Sequence, residues 1–358
     1  MQQLVHQIWY QKRHPLRWLL LPFSGLFSLI SATRRLLFRL GIKKAWTSPI
    51  PIIVVGNITA GGSGKTPMVL HLINMLRNAG YKPGVVSRGY GATNLLSPTL
   101  VNASSKAIDV GDEPAMIFAR TQVPMVVSPK RSQAVKYLLE CAEIDVVICD
   151  DGLQHYALNR DIEIAIIDGK RQLGNGLLIP AGPLREGKWR LNSVDFIVTN
   201  GVNDSTRSEL KSKNAYSMVL ESAGLQAVEQ HNLISSVSKR SHKTLNETAP
   251  TSDCNVVAMA GIGNPERFFE TLTQLGFKLN KQIAFDDHQA YQQANIESLA
   301  DNLPLLMTEK DAIKCRDFAQ NNWWYLAVNA KINNEFDRTL LNKLAKAVAK
   351  KKENRHGI

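Results

Sequence analysis

The chain has 358 residues and 44% hydrophobic content, enough to bury a sizeable core and longer than most single domains, so two domains are expected. Four cysteines, Cys141, Cys149, Cys254 and Cys315, stand far apart without C-x-x-C or Cys/His spacing, which argues against a disulfide framework or zinc site and for reduced thiols in a cytosolic protein. The net charge of +12 is all carried by the N-terminal third, where 13 Lys and Arg and no Asp or Glu precede Asp109, so an anionic partner is expected to meet that end.

Eight of those basic groups come first: Lys12, Arg13, Arg17, Arg34, Arg35, Arg39, Lys43 and Lys44. Between them lies the apolar run Trp18 to Ala32, broken by Pro22, Ser24, Gly25, Ser28 and Ser31 and too short to span a bilayer comfortably. Drawn as a helix, it puts Arg17, Ser24, Ser28, Ser31, Arg35 and Arg39 on one polar stripe, with Leu19, Phe23, Leu26, Ile30 and Leu37 away from it. That is an interfacial pattern, apolar side in the acyl region and basic groups at anionic head groups. The bland alternative is a helix packed on the protein or on a second copy. A cleavable signal peptide is not expected, because no small-residue cleavage site follows.

From Pro51, short β-branched runs alternate with helix-patterned segments, the mark of a parallel sheet covered on both faces. Strands are expected at 52–55, 84–87, 125–128, 145–149, 162–167 and 196–199, and helices at 66–79, 114–119 and 132–142, with Gly80 as a C-terminal cap. Between the first strand and the first helix stands Thr59-Ala60-Gly61-Gly62-Ser63-Gly64-Lys65-Thr66. This is a phosphate cradle: glycines let backbone N–H groups turn to phosphate oxygens, Lys65 reaches the β and γ groups, and the Thr66 hydroxyl is placed for Mg²⁺. The usual motif has glycine where this chain has Thr59.

Beyond Lys213, Tyr216 to Val228 is read as a strand pairing with Leu233 to Val237, and Lys239 to Asp253 as a polar linker. A second α/β run follows, with strands at 255–260, 305–308 and 323–328 and a helix at 266–275. Gly261-x-Gly263 is read as a tight turn rather than a dinucleotide fingerprint. Arg338 to Lys352 reads as a basic amphipathic helix with a solvated face. The division is thus residues 1–49, a basic membrane-associating segment; 50–213, a P-loop domain; 214–254, a linker; and 255–358, a second α/β domain. The fold class is α/β: two Rossmann-like or P-loop domains with parallel-sheet cores plus an N-terminal amphipathic helix. No internal repeat and no basic-aromatic interleaving occurs, so no nucleic acid is expected, and no obligate protein partner is evident.

Asp150 and Asp151 end the strand 145–149 and should emerge on the same sheet edge as the cradle, where one suits the Mg²⁺ sphere. Gly111-Asp112-Glu113-Pro114 precedes a helix pattern, and from spacing alone helix capping is the better reading. Asp287-His288 and Arg185 are weaker candidates.

Together these stretches resemble the tetraacyldisaccharide 4′-kinase (lipid A 4′-kinase) family over most of the chain. The resemblance is carried by Val55 to Pro67, Ser87-Arg88-Gly89-Tyr90-Gly91, Gly111 to Pro114, Asp150-Asp151-Gly152-Leu153-Gln154-His155, Pro180 to Glu186, Asp287-His288 and Thr308-Glu309-Lys310-Asp311. Thr59 belongs to that family's cradle; Gln289 and Gly187 stand where relatives often have histidine and proline. The resemblance implies ATP-dependent phosphorylation of the 4′-hydroxyl of an acylated glucosamine disaccharide 1-phosphate at the cytoplasmic face of a bacterial inner membrane. It makes Asp112 the base, supported by His288, with Lys65 stabilising the γ-phosphoryl group and Thr66, Asp150, Asp151 or Glu113 arranging Mg²⁺. Closure of the two domains around ATP is the mechanistic expectation. The rival readings are a cradle ATPase or GTPase acting as a membrane-associated switch, and a non-catalytic membrane adaptor.

Overall fold

The structure, a computed structural model, describes residues 2–11, 14–93, 95–201, 214–228, 249–300 and 302–356. Lys12, Arg13 and the expected strand 233–237 lie outside them, as does most of the 239–253 stretch. In chain order the first part contains α1 (Gln2–Tyr10), α2 (Leu16–Arg39), β1 (Ile52–Gly56), α3 (Lys65–Asn78), β2 (Pro83–Ser87), β3 (Thr99–Leu100), α4 (Ala107–Val110), α5 (Asp112–Thr121), β4 (Met125–Val127), α6 (Arg131–Cys141), β5 (Val146–Asp150), β6 (Ile162–Asp168), β7 (Phe196–Asn200) and β8 (Ala215–Ala227). The second part contains β9 (Asn255–Ala260), α7 (Pro265–Gln274), β10 (Lys278–Ala284), α8 (Gln293–Glu297), β11 (Leu305–Thr308), α9 (Glu309–Cys315), β12 (Trp323–Ile332) and α10 (Asn334–His356).

The strands join in one sheet, ordered β10-β9-β11-β12-β8-β7-β6-β1-β5-β2-β4-β3. All pairings are parallel except β3 with β4 and β8 with β12. Strands β1, β2, β4, β5, β6 and β7 are buried along their whole length, which is why each is mostly apolar and legible as a covered parallel strand. The outermost strands β3 and β10 are absent from the sequence reading: neither edge strand has a buried residue, and Lys278–Ala284 carries no apolar alternation. Strand β8 welds the two parallel blocks together. Its first residues pair with β7, and the stretch from Met218 to Ala227 pairs with β12.

Helix α10 differs from the solvated face expected of it. Phe336, Leu340 and Leu344, one turn apart, are completely buried in a core with Ile73, Leu76 and Phe196 from the first block. A hydrogen bond between Asp337 and His71 Nε2 at 2.8 Å and an ion pair from Lys351 to Asp161 at 3.4 Å tie the same helix to α3 and to the turn before β6. The basic residues that dominate its sequence lie beside this stripe, so charge hides an apolar period of four.

Helix α2 is also arranged differently from the expectation. Its polar stripe does not face outward: Ser24 is buried, donating to Leu178 O at 2.8 Å and accepting from Ala181 N at 3.0 Å, and Arg35 stacks 3.9 Å over the Trp189 ring. The side turned away from the protein is apolar, with Trp18 66%, Leu19 69%, Phe23 59%, Leu26 56%, Leu29 64% and Ile30 59% exposed. By length and composition this helix is able to cross a membrane.

Candidate active site

The cradle is held in shape by groups outside it. Gly61 (φ 100°) and Gly64 (φ 91°) take left-handed backbone conformations. At Gly64 a side chain has no room either, since a Cβ would lie 2.3 Å from Asn200 Nδ2, the group that donates to Ser63 O at 3.1 Å. Thr59 does not need glycine's freedom: it is extended and bridged to Leu184, while Ala60 N donates to Pro183 O at 2.7 Å and Arg185 N to Ile58 O at 2.7 Å. The segment 178–186 therefore braces the cradle on one side and receives Ser24 of α2 on the other.

Register places the carboxylates. Val55 of β1 pairs with Asp150 of β5, so both strands end beside the cradle, as the sequence pattern implied. Asp151 turns left-handed (φ 47°) and receives Arg185 Nη1 at 3.1 Å, with Lys65 Nζ 3.7 Å away. Burial alone would raise Asp151, but Lys65 and Arg185 outweigh it and hold its carboxyl below the usual range. Asp150 behaves oppositely: burial first, then the charges of Glu113 and Asp151, push it up to about 7 against the pull of Lys65 and Arg131. Its Oδ2 accepts from Ser87 Oγ at 3.1 Å, whereas Oδ1 is buried and has no hydrogen-bond partner.

An orphaned carboxylate oxygen whose neighbouring carboxylates raise it is chemically suited to a hard divalent cation, and Thr66 stands at the start of α3 in the same cavity as Glu113. Among the described residues no group of three or more His, Cys, Asp or Glu forms an all-protein cage. Mg²⁺, a hard divalent cation, is commonly bound by one or two carboxylates together with nucleotide phosphates.

Asp112 is the place where the capping expectation fails. Helix α5 is capped by Gly111, whose φ of 96° and a would-be Cβ 2.7 Å from Tyr90 O explain the glycine. Asp112 is already helical and Pro114 is its third residue rather than its first. The Asp112 carboxylate turns to the second block, where His288 Nδ1 stands 3.1 Å and Lys314 Nζ 3.7 Å from Oδ2. Glu113 faces Lys310 Nζ at 3.8 Å, and Lys310 also meets Asp287 at 2.7 Å. His155, in the Asp150 to His155 stretch, lies where burial and then Arg131, Arg160, Arg34 and Arg88 push its imidazole down to about 4.

A cavity of about 480 Å³ lies between the blocks. Gly62, Lys65, Thr66 and Glu113 line it from the first block, and Gly263, Arg267, Asp287 and Lys310 from the second. The sequence reading assigned no role to Lys310, Arg267 or Asn200 and treated Gly261-x-Gly263 as a plain turn. That turn abuts the cradle, since a Cβ at Gly263 would lie 3.2 Å from Gly62 N. A signal for Lys310 did exist: Thr308-x-x-Asp311 is a capping box, and Thr308 Oγ1 does accept from Asp311 N, which starts α9 at the carboxyl end of β11 and sets Lys310 in its first turn.

A glycine cradle at the carboxyl edge of a doubly wound sheet, faced across a cleft by a second α/β block, defines a phosphate-loop kinase architecture. The family description tetraacyldisaccharide-1-P 4′-kinase (LpxK) matches residues 16–345, and the chain belongs to that family. It is 56% identical over all 358 residues, covering the full length of both chains, to the tetraacyldisaccharide 4′-kinases of Shewanella frigidimarina and Shewanella oneidensis. Among solved structures, the "apo" form of LpxK from Aquifex aeolicus in complex with ATP is similar with a TM-score of 0.73 and 28% identity, covering 93% of this chain and 99% of that one.

Proposed function

We propose that this chain transfers the γ-phosphoryl group of ATP to the 4′-hydroxyl of a tetraacylated glucosamine disaccharide 1-phosphate, giving lipid IVA, at the cytoplasmic surface of the bacterial inner membrane. The observation that carries the reading is the contact of Asp112 with His288 at 3.1 Å, a carboxylate–imidazole pair that bridges the two blocks next in sequence to the cavity-lining Glu113 and Asp287. In this reading the amides of residues 60–66 and the Lys65 ammonium grip the triphosphate. Thr66 and Asp150, with Asp151 or Glu113, would hold Mg²⁺, which when bound neutralises charge on the β- and γ-phosphate oxygens. Asp112 takes the proton of the sugar hydroxyl as its oxygen attacks the γ-phosphorus and the bond to the ADP oxygen breaks, while His288 keeps the carboxylate oriented. Such a transfer asks the protein mainly for positioning and charge stabilisation. The outward apolar side of α2 supports residence on the bilayer, where the lipid acceptor stays.

The test is incubation with labelled ATP and the disaccharide lipid, comparing wild type with Asp112→Asn. Removing a general base is expected to lower transfer by about 10²–10⁴-fold while Mg·ATP binding persists. Transfer near the normal rate removes Asp112 from the role, and ATP hydrolysis without lipid acceptor would favour the switch reading.

A further inference from the structure

The stretch Thr308-Glu309-Lys310-Asp311 carries a cation that the proposed chemistry leaves unused. Lys310 reaches out of α9 into the interblock cleft, its side chain 11% exposed, and its Nζ lies 2.7 Å from Asp287 Oδ1, 3.8 Å from Glu113 Oε1 and 3.4 Å from His288 Nε2. The two nitrogens of His288 thus meet different chemistry: Nδ1 faces the Asp112 carboxylate and Nε2 faces an ammonium.

We infer that Lys310 is a positioning residue that fixes His288 as the neutral imidazole with its proton on Nδ1, so that this N–H is donated to Asp112 Oδ2. The inference rests on the reading of Asp112 as the base. An ammonium has three N–H donors and no acceptor, so the ring nitrogen it faces is the one bearing the lone pair. The Lys310 ammonium is itself anchored between Asp287 Oδ1 at 2.7 Å and Glu113 Oε1 at 3.8 Å, so it meets Nε2 as an ion-paired donor. The carboxylate that could otherwise take an Nε2 proton, Asp287 Oδ1, stands 3.8 Å from Nε2, outside hydrogen-bond reach, and is already engaged by Lys310 at 2.7 Å. A doubly protonated ring would aim an Nε2–H at the ammonium. The partner of one ring nitrogen decides which tautomer the other presents, as in other catalytic histidines.

The ring is kept from turning by the first block, with Tyr90 edge-on at 4.7 Å and the Gly91 backbone close enough that a Cβ there would lie 3.4 Å from Nδ1. The consequence for Asp112 is directional. His288 and Lys314 both approach Oδ2, so this oxygen of the carboxylate is the one held by the second block.

The experiment uses full-length protein labelled with ¹⁵N-histidine in detergent micelles near neutral pH, without nucleotide or lipid, with the His288 signals assigned by His288→Gln. Long-range ¹⁵N–¹H correlation distinguishes protonated from bare ring nitrogens. The expected result is a protonated Nδ1 and a bare Nε2 in wild type, lost to the other tautomer or to a mixture in Lys310→Met and retained in Lys310→Arg. In turnover, Lys310→Met should lower kcat by roughly 10–100-fold, by analogy with the cost of losing the outer partner of a metal-bound histidine, with the KM for Mg·ATP changed by less than about threefold. An Nε2–H or doubly protonated ring in the wild type overturns the inference, whether or not any variant folds. So does a Lys310→Met enzyme whose tautomer is unchanged, or whose loss is all in KM, since Lys310 would then serve the triphosphate. The tautomer is read without substrate, so a failed base assignment for Asp112 and a failed role for Lys310 give different results.

Discussion

Replacing Leu19, Phe23 and Leu26 together by serine should detach the protein from membranes without destabilising it. These side chains are 69%, 59% and 56% exposed on the face of α2 turned away from the protein. Fully burying a Leu or Phe is worth about 1.5–3 kcal/mol, so with roughly 60% of each still open, insertion into acyl chains retains about 1–1.8 kcal/mol per residue. The triple change then removes about 4 kcal/mol, close to a thousandfold in partitioning. The assay is co-sedimentation with anionic phospholipid vesicles over a lipid titration, alongside thermal melting. Because these groups touch little of the folded core, the melting transition should shift no more than that of an ordinary surface variant, within about 0.5 kcal/mol. Unchanged vesicle binding would refute the assignment of this face to lipid. A large loss of thermal stability would refute it differently, by showing that the face packs on protein.

Two further outcomes follow from burial and charge. Phe336→Ala empties a fully buried site shared with Ile73 and Phe196 and should cost about 3–5 kcal/mol in urea denaturation; a loss under about 1 kcal/mol would separate α10 from that core. His155, held at about 4 when folded by burial and the arginines around it, binds protons less readily than its unfolded counterpart at about 6.5. The unfolded chain therefore takes up more protons between those values, so this residue's contribution is intact above the unfolded pKa and is lost as pH falls toward 4. Urea midpoints measured across that window should fall less steeply in His155→Gln, and parallel curves would contradict the assignment.

Much of the first block was legible because its strands are covered on both faces and its cradle has a fixed spacing. Ile52 to Gly56 and Val146 to Cys149 are unbroken apolar runs, and the alternation with helices follows from that burial. Legibility failed where a residue's partner lies across the chain. Asp112 and Glu113 look like caps in isolation, and only the approach of His288 and Lys310 from the second block gives them other work. The orientation of α2 was also out of reach, since a polar stripe reads the same whether it meets lipid head groups or, as at Ser24, the protein's own backbone. In α10 the many lysines outvoted three buried apolar residues.

The segment from Leu178 to Glu186 fastens to α2 and α1 on one side, through Ser24 and the Trp9 indole, and to Ile58 and Ala60 on the other. It works as a spacer of set height. With α2 on the bilayer as proposed, the height of the phosphate donor above the lipid becomes a matter of short backbone geometry, not of how greasy the anchor is. A longer or shorter segment would leave every reacting group intact and yet deliver the phosphate to the wrong altitude.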